Sequence, residues 1–102
     1  MGEPMYFQTN PRLGISVPHL MKEWTHYSMN EQAYILHEWE TIRGSIPDRI
    51  KNLEKEINER QAQLDHEESF QRSCLLNEEI SELASIINDL WLWFRTSPSM
   101  EK

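Results

Sequence analysis

The stretch LNEEISELASIINDLWLWF, residues 76–94, decides the fold of this 102-residue chain. Its apolar residues recur at alternating intervals of four and three positions: Leu76, Ile80, Leu83, Ile87, Leu90 and Phe94. This spacing places one apolar stripe along the side of an α-helix. The stretch therefore predicts a long amphipathic helix, over about residues 68–95, that packs against a neighbouring helix.

A second apolar stripe precedes this helix and predicts another one over residues 46–64. Its members are Ile46, Ile50, Leu53, Ile57 and Leu64. The two stripes are out of phase, because steps of seven from Leu64 lead to Gln71 and Glu78 rather than to Leu76. The chain therefore either turns back near residues 65–69 as an antiparallel hairpin or continues as one long helix whose apolar seam shifts.

We favour the hairpin, because a small domain buries more apolar surface when its helices fold back on each other. Asp65 and Glu68 also have the spacing of a helix cap. Against the hairpin, neither glycine nor proline marks the turn.

The segment before these stripes predicts a helix over residues 29–43. Ser28 and Glu31 have the S-x-x-E spacing of a capping box. Ile35, Trp39 and Ile42 then recur at helical intervals. A helix with one buried side follows from these two signals.

A bend is predicted where this helix meets the next one. Gly44 suits the left-handed position after a helix end. Ser45 is expected to cap the following helix, and Pro47 is tolerated only in a first helical turn. The chain must therefore change direction between Arg43 and Pro47.

The two ends of the chain have weaker signals. Residues 1–14 contain two prolines and two glycines without a sustained period, which predicts an irregular arm. Pro18, with Leu20 and Trp24 four residues apart, predicts a short helix over about residues 18–25. The tail, residues 96–102, is expected to be frayed.

Together these signals predict an all-α fold with a single domain over residues 15–95. We expect an antiparallel, coiled-coil-like helical hairpin with one or two short N-terminal helices packed across it. Mean hydropathy is low, at -0.70, so burial between subunits would supplement a thin core. A dimeric helical bundle is the expected assembly.

Charge and composition exclude several classes of partner. The net charge is -7, with 17 acidic against 10 basic residues. Nucleic acids and anionic membranes both attract clustered lysine and arginine, so we expect neither as a partner. The start of the chain lacks the basic and apolar regions of a secretory signal, and no apolar run is long enough to span a bilayer. A single cysteine fits a reducing cytoplasm.

The candidate interaction site is aromatic. Five consecutive apolar residues at positions 90–94 point in all directions around a helix, so one core face cannot cover them. Trp91 and Trp93 are left over from the main stripe, and Trp24 and Trp39 offer matching apolar surface. Trp91 and Trp93 can be covered by this surface of their own chain or by the same surface of a second chain, and we expect both kinds of contact.

The leading functional hypothesis is accordingly a non-enzymatic, cytoplasmic adaptor or regulator. It would bind itself as a homodimer, or another helical protein, without a cofactor. The expected anchors are Trp91, Trp93, Phe94, Trp24 and Trp39, because large aromatic residues contribute most to interface affinity.

An acidic cluster supports an alternative function. Glu78, Glu79 and Glu82 form an E-E-x-x-E pattern followed by Asp89. The pattern resembles half of the metal site of the all-α nucleotide pyrophosphohydrolases of the MazG type. That resemblance implies a Mg²⁺-dependent hydrolase, and Mg²⁺ prefers oxygen ligands of this kind. It covers about a dozen residues, and the second acidic pair on a following helix is missing, so a solvated acidic face is the competing interpretation.

Three further features point to ordinary structural roles. His37 and Glu40 are three residues apart, as in a proton relay, but such pairs are common on helices. Cys74 has no nearby activating group in the sequence and is expected to be a buried, inert thiol. The helix–turn–helix pattern over residues 18–44 is too acidic to approach DNA phosphates.

Overall fold

The computed structural model describes residues 6–98. These residues form two short strands, β1 (Phe7–Asn10) and β2 (Ile15–Pro18), and a 3₁₀ turn at Trp24–His26. Three α-helices follow: α1 (Met29–Gly44), α2 (Ile46–Asp65) and α3 (Phe70–Phe94). The protein is therefore mostly helical, as predicted, with a small antiparallel sheet that an all-α fold did not include.

α2 and α3 form a packed helix pair rather than one continuous helix. The connection between them spans only residues 66–69, and contacts cross the pair near it. Arg60 Nε donates to Glu79 Oε1 at 2.9 Å, and Arg72 donates to Gln63. The predicted Asp65–Glu68 cap is wrong, because Asp65 is still helical. Ser69 caps α3 instead, by accepting a bond from the Arg72 amide.

α1 and α2 together make one long helix with a bend at Ser45. The bend forms without a left-handed residue, so the role expected for Gly44 is wrong and Gly44 ends α1 in helical backbone. Ser45 also caps in the opposite direction from the one predicted. Its hydroxyl donates to the Ile42 carbonyl at 2.7 Å, at the end of α1. Pro47 lies in the first turn of α2, where it interrupts no helical hydrogen bond.

The start of α1 confirms the predicted capping box. The Glu31 amide donates to Ser28 Oγ at 3.1 Å, and the Ser28 amide donates to Glu31 Oε1 at 2.9 Å. The predicted stripe is also present, since Ile35 and Trp39 are buried and Ile42 packs beside them.

A β-hairpin replaces two of the N-terminal expectations. Residues 7–18 pair in antiparallel register, so the segment is neither irregular up to residue 14 nor helical from residue 18. The expected arm's residues 1–5 lie outside the described part of the chain. The turn closes because Asn10 Oδ1 accepts from the Leu13 amide and Gly14 adopts a φ of +78°. Arg49 Nε of α2 donates to the Leu13 carbonyl, which holds the turn against the helix pair.

The core lies at one end of the helix pair, where α1 and the β-hairpin cover it. Its buried members include Leu13, Ile35, Trp39, Ile46 and Leu90. Toward the connection at residues 66–69 the cover ends, and Ile57 and Leu64 are only half-buried. The radius of gyration is 17.8 Å, against about 13 Å for a compact chain of this length. The molecule is therefore elongated.

The described residues contain no helix that is both long and apolar enough to cross a membrane. Of the expected frayed tail, residues 96–98 are described and residues 99–102 are not. Thr96 is attached to the core, because its carbonyl accepts a bond from Trp39 Nε1 at 2.8 Å.

A tyrosine cluster fastens the β-hairpin to the start of α1. Tyr6 packs its ring edge against Tyr27 at 5.7 Å and lies 5.8 Å from Tyr34. The Tyr6 hydroxyl donates to Glu31 Oε2 at 2.9 Å. Bonds from the Ser28 amide and then from Tyr6 lower the pKa of Glu31, and the bond to Glu31 raises the pKa of Tyr6.

These shifts predict a loss of stability at acid pH. Because the folded-state pKa of Glu31 lies below its ordinary value of 4.5, its contribution is present above that pH and disappears as the pH falls through the folded value. Thermal unfolding between pH 3 and pH 7 should show a steeper acid decline in the native protein than in Glu31→Gln. Glu78→Gln, at an exposed glutamate of α3, is the control and should keep the native slope. Identical slopes in all three proteins would contradict the role of Glu31.

Candidate functional site

The last two turns of α3 carry the exposed part of the predicted aromatic site. Trp91 is 38% exposed and Leu92 is 52% exposed. Phe94 is half-buried, with its ring edge-on to Trp91 at 5.4 Å and below the Arg43 guanidinium at 5.6 Å. This end of α3 therefore presents large apolar side chains to solvent.

Trp39 and Trp93 belong to the core instead. Trp39 is only 2% exposed, and its ring meets Trp93 edge-on at 5.8 Å. Trp93 is half-buried and packs against the core cluster. Trp39, which the sequence suggested as an interaction anchor, thus has its surface covered by its own chain.

Trp24 lies in a different part of the molecule. It is in the 3₁₀ turn before α1, where it packs partly against the core and its carbonyl accepts from Gln32 Nε2 at 2.9 Å. Among the ring contacts of the described residues, none joins Trp24 to the tryptophans of α3. Four of the five predicted anchors thus belong to or pack against the core, and direct ring contacts join only Trp39 to Trp93 and Trp91 to Phe94 among them.

Arginines pair with three of the four acidic residues of the alternative metal site: Glu79, Glu82 and Asp89. Arg12, in the turn of the β-hairpin, uses all three guanidinium nitrogens on one side of α3. It donates to Glu82 at 2.9 Å, to Ser85 at 2.8 Å and to Asp89 at 2.7 Å. The bond to Asp89 and then the bond to Glu82 raise the pKa of Arg12. We call this arrangement the Arg12 clamp, and it attaches the β-hairpin to α3.

The acids of the E-E-x-x-E pattern do not converge. Glu79 pairs with Arg60 of α2 at 2.9 Å, Glu82 pairs with Arg12 on the β-hairpin, and Glu78 is exposed on α3. Within residues 6–98, no group of three or more metal-ligating side chains is arranged around a common point. The described geometry therefore gives the Mg²⁺ alternative no support.

A cleft of about 350 Å³ lies beside the Arg12 clamp, and the sequence did not predict it. Leu13, Leu92 and Trp93 supply its apolar wall, and Asn10, Arg12, Asp89 and Thr96 supply its polar rim. Most of the rim's polar groups already hold partners within the chain: Asn10 bonds to Leu13, and Arg12 bonds to Asp89. The cleft is thus better suited to an apolar side chain than to a polar ligand.

Two smaller expectations also change. Cys74 is exposed rather than buried. It lies two residues, or about 200° of helix rotation, from the buried Leu76, and so faces away from the helix pair. His37 and Glu40 both lie at the surface of α1, and the Glu40 carboxylate pairs with Arg43.

Comparison of the chain with protein-family models, with curated proteins and with solved structures found no match.

Proposed function

We propose that this protein is a non-enzymatic, cytoplasmic adaptor or regulator that binds another protein through the aromatic end of α3. The exposure of Trp91 beside Leu92 is the observation that carries the proposal. Large apolar side chains grouped at the surface are typical of interaction sites, and tryptophan is the residue most enriched among the side chains that dominate affinity.

The proposal includes self-association as a homodimer, in which the helix pairs of two copies form a bundle. An elongated molecule with a thin core buries little of its own apolar surface, and a second subunit would cover more of it. Trp91 is the proposed contact residue, and Phe94 supports it by packing edge-on against its ring. Trp39 and Trp93 would act indirectly, by holding the end of α3 in place.

The proposal is tested by the solution mass of the native protein and of Trp91→Ala across a range of concentrations, with light scattering on a sizing column. The native protein should approach twice the 12.2 kDa chain mass as concentration rises. Trp91→Ala should weaken the association by about 2 kcal/mol or more, because an aromatic anchor is lost. Its helicity should be unchanged, since Trp91 is only partly buried.

Two controls accompany this measurement. Met29→Ala removes another exposed apolar side chain, on α1, and should leave the mass unchanged. In the double variant Trp91→Ala, Trp93→Ala, the contact between Trp93 and Trp39 is also lost, so its stability must be measured together with its mass. A Trp91→Ala protein that associates like the native one would contradict the proposed site.

A further inference from the structure

One face of α3 carries no charged residue. Successive helical residues are rotated by about 100°, which places six uncharged residues along one side of the helix, over a length of about 21 Å. We call them the uncharged face: Asn77, Ile80, Ala84, Ile87, Asn88 and Trp91. Asn77, Ala84, Asn88 and Trp91 are exposed, whereas Ile80 and Ile87 are half-buried and Ile87 also packs against the core.

The charges of α3 are confined to its other sides. Glu82 and Asp89 point to the β-hairpin, where they meet Arg12, and Glu79 points to Arg60 of α2. The β-hairpin thus covers one face of the helix pair, and the uncharged face lies on the opposite side.

We propose that the uncharged face pairs with the same face of a second copy of this chain, as two antiparallel α3 helices. This inference rests on the proposed self-association and specifies its geometry. Two chains with a net charge of -7 each repel one another, and this repulsion is smallest where neither presents a charge. Depletion of charged residues is also the compositional mark of the centre of protein interfaces.

The sizes of the side chains fit this pairing. Ile80, Ala84, Ile87 and Trp91 recur at intervals of four, three and four, which is the spacing of a helix–helix seam. In an antiparallel pair with a two-fold axis, Ala84 can lie opposite Ile87 of the second copy, which places Ile80 opposite Trp91. Each large side chain then faces a smaller one, and the exposed indole of Trp91 covers an isoleucine.

The exposed Cys74 provides a direct test, since it is the chain's single cysteine. In the proposed register, the two Cys74 residues lie 23 helical positions apart, a separation of about 35 Å. Parallel pairing in register would bring them to within roughly 10 Å, the usual distance between packed helices. Nitroxide labels attached to Cys74 of the native protein, measured by pulsed electron resonance, distinguish the two arrangements.

A charge variant completes the test. Ala84→Glu introduces a carboxylate at the centre of the uncharged face, and glutamate maintains helicity at this exposed position. We expect it to weaken self-association by at least roughly 100-fold, because two buried, unpaired charges would meet in the pair. Asn52→Glu, on an exposed side of α2, introduces the same charge and should associate like the native protein.

Three outcomes are possible. A dimer with a label separation near 35 Å that Ala84→Glu dissociates supports the proposal. A dimer with a short separation, or one unaffected by Ala84→Glu, overturns this pairing but leaves self-association intact. A monomer at every concentration overturns the pairing and the proposed homodimer together.

Discussion

Trp39→Ala is expected to lower the free energy of unfolding by about 3–5 kcal/mol, the usual range for truncation of a buried tryptophan. Trp39 is 2% exposed, packs edge-on against Trp93 and donates its indole hydrogen to the Thr96 carbonyl. Its loss would leave a cavity where α1, the end of α3 and the tail meet. Urea unfolding followed by circular dichroism measures the change.

Trp39→Phe separates the two contributions of this side chain. It keeps an aromatic ring in the core but loses the hydrogen bond to Thr96, and this loss should lower the free energy of unfolding by about 1 kcal/mol. The smaller side-chain volume lowers it further. If Trp39→Ala unfolded at the native urea concentration while losing self-association, Trp39 would be an interface residue after all, and the burial described for it would be wrong.

Leu90→Ala is the second large effect, with an expected loss of about 2–5 kcal/mol. Leu90 is fully buried in the core cluster, near the C-terminal end of α3. Leu75→Ala is its matched control on the same helix. Leu75 is 52% exposed, so its truncation should change stability by no more than about 0.5 kcal/mol. If the two variants had the same urea midpoint, the orientation of α3 that buries Leu90 would be wrong.

The helices were predictable because their signals are local. The capping box of Ser28 and Glu31 and the repeating apolar residues of α3 each lie within a few turns of helix, so the chain's own neighbours determine them. Ser45 shows the limit of this reasoning. A serine between two helices can cap either one, and the choice depends on the direction of the bend, which packing determines.

The β-hairpin was missed although a signal for it exists. The segment NPRLG, residues 10–14, combines an asparagine–proline start with a glycine and precedes residues 15–18, ISVP, in which apolar and polar residues alternate. Strands of four residues form too little sheet to be stable alone. The strands depend on the burial of Leu13 in the core, on the bond from Arg12 to Asp89 and on the bond from Arg49 to the Leu13 carbonyl. These partners are distant from the β-hairpin in sequence.

The candidate site was predictable only in part, for a similar reason. Trp39 and Trp91 are both large aromatic residues in predicted helices, and the sequence does not reveal which of them another element will cover. The acidic residues likewise suggested a metal site, because their positive partner was not visible in the nearby sequence. Arg12, which pairs with Glu82, is 70 positions away from it. Both distinctions come from tertiary contacts.

The Arg12 clamp also bears on how the chain acquires its structure during synthesis. The β-hairpin is synthesised before the helices. Asp89, which accepts a bond of 2.7 Å from Arg12, follows Arg12 by 77 residues. The Trp39 indole similarly awaits the Thr96 carbonyl, 57 residues downstream. Until residues 89–96 emerge from the exit tunnel, the early segments have only partial cover for Leu13 and Trp39. Before that point the nascent chain exposes these apolar side chains to contact with a chaperone or with a neighbouring nascent copy.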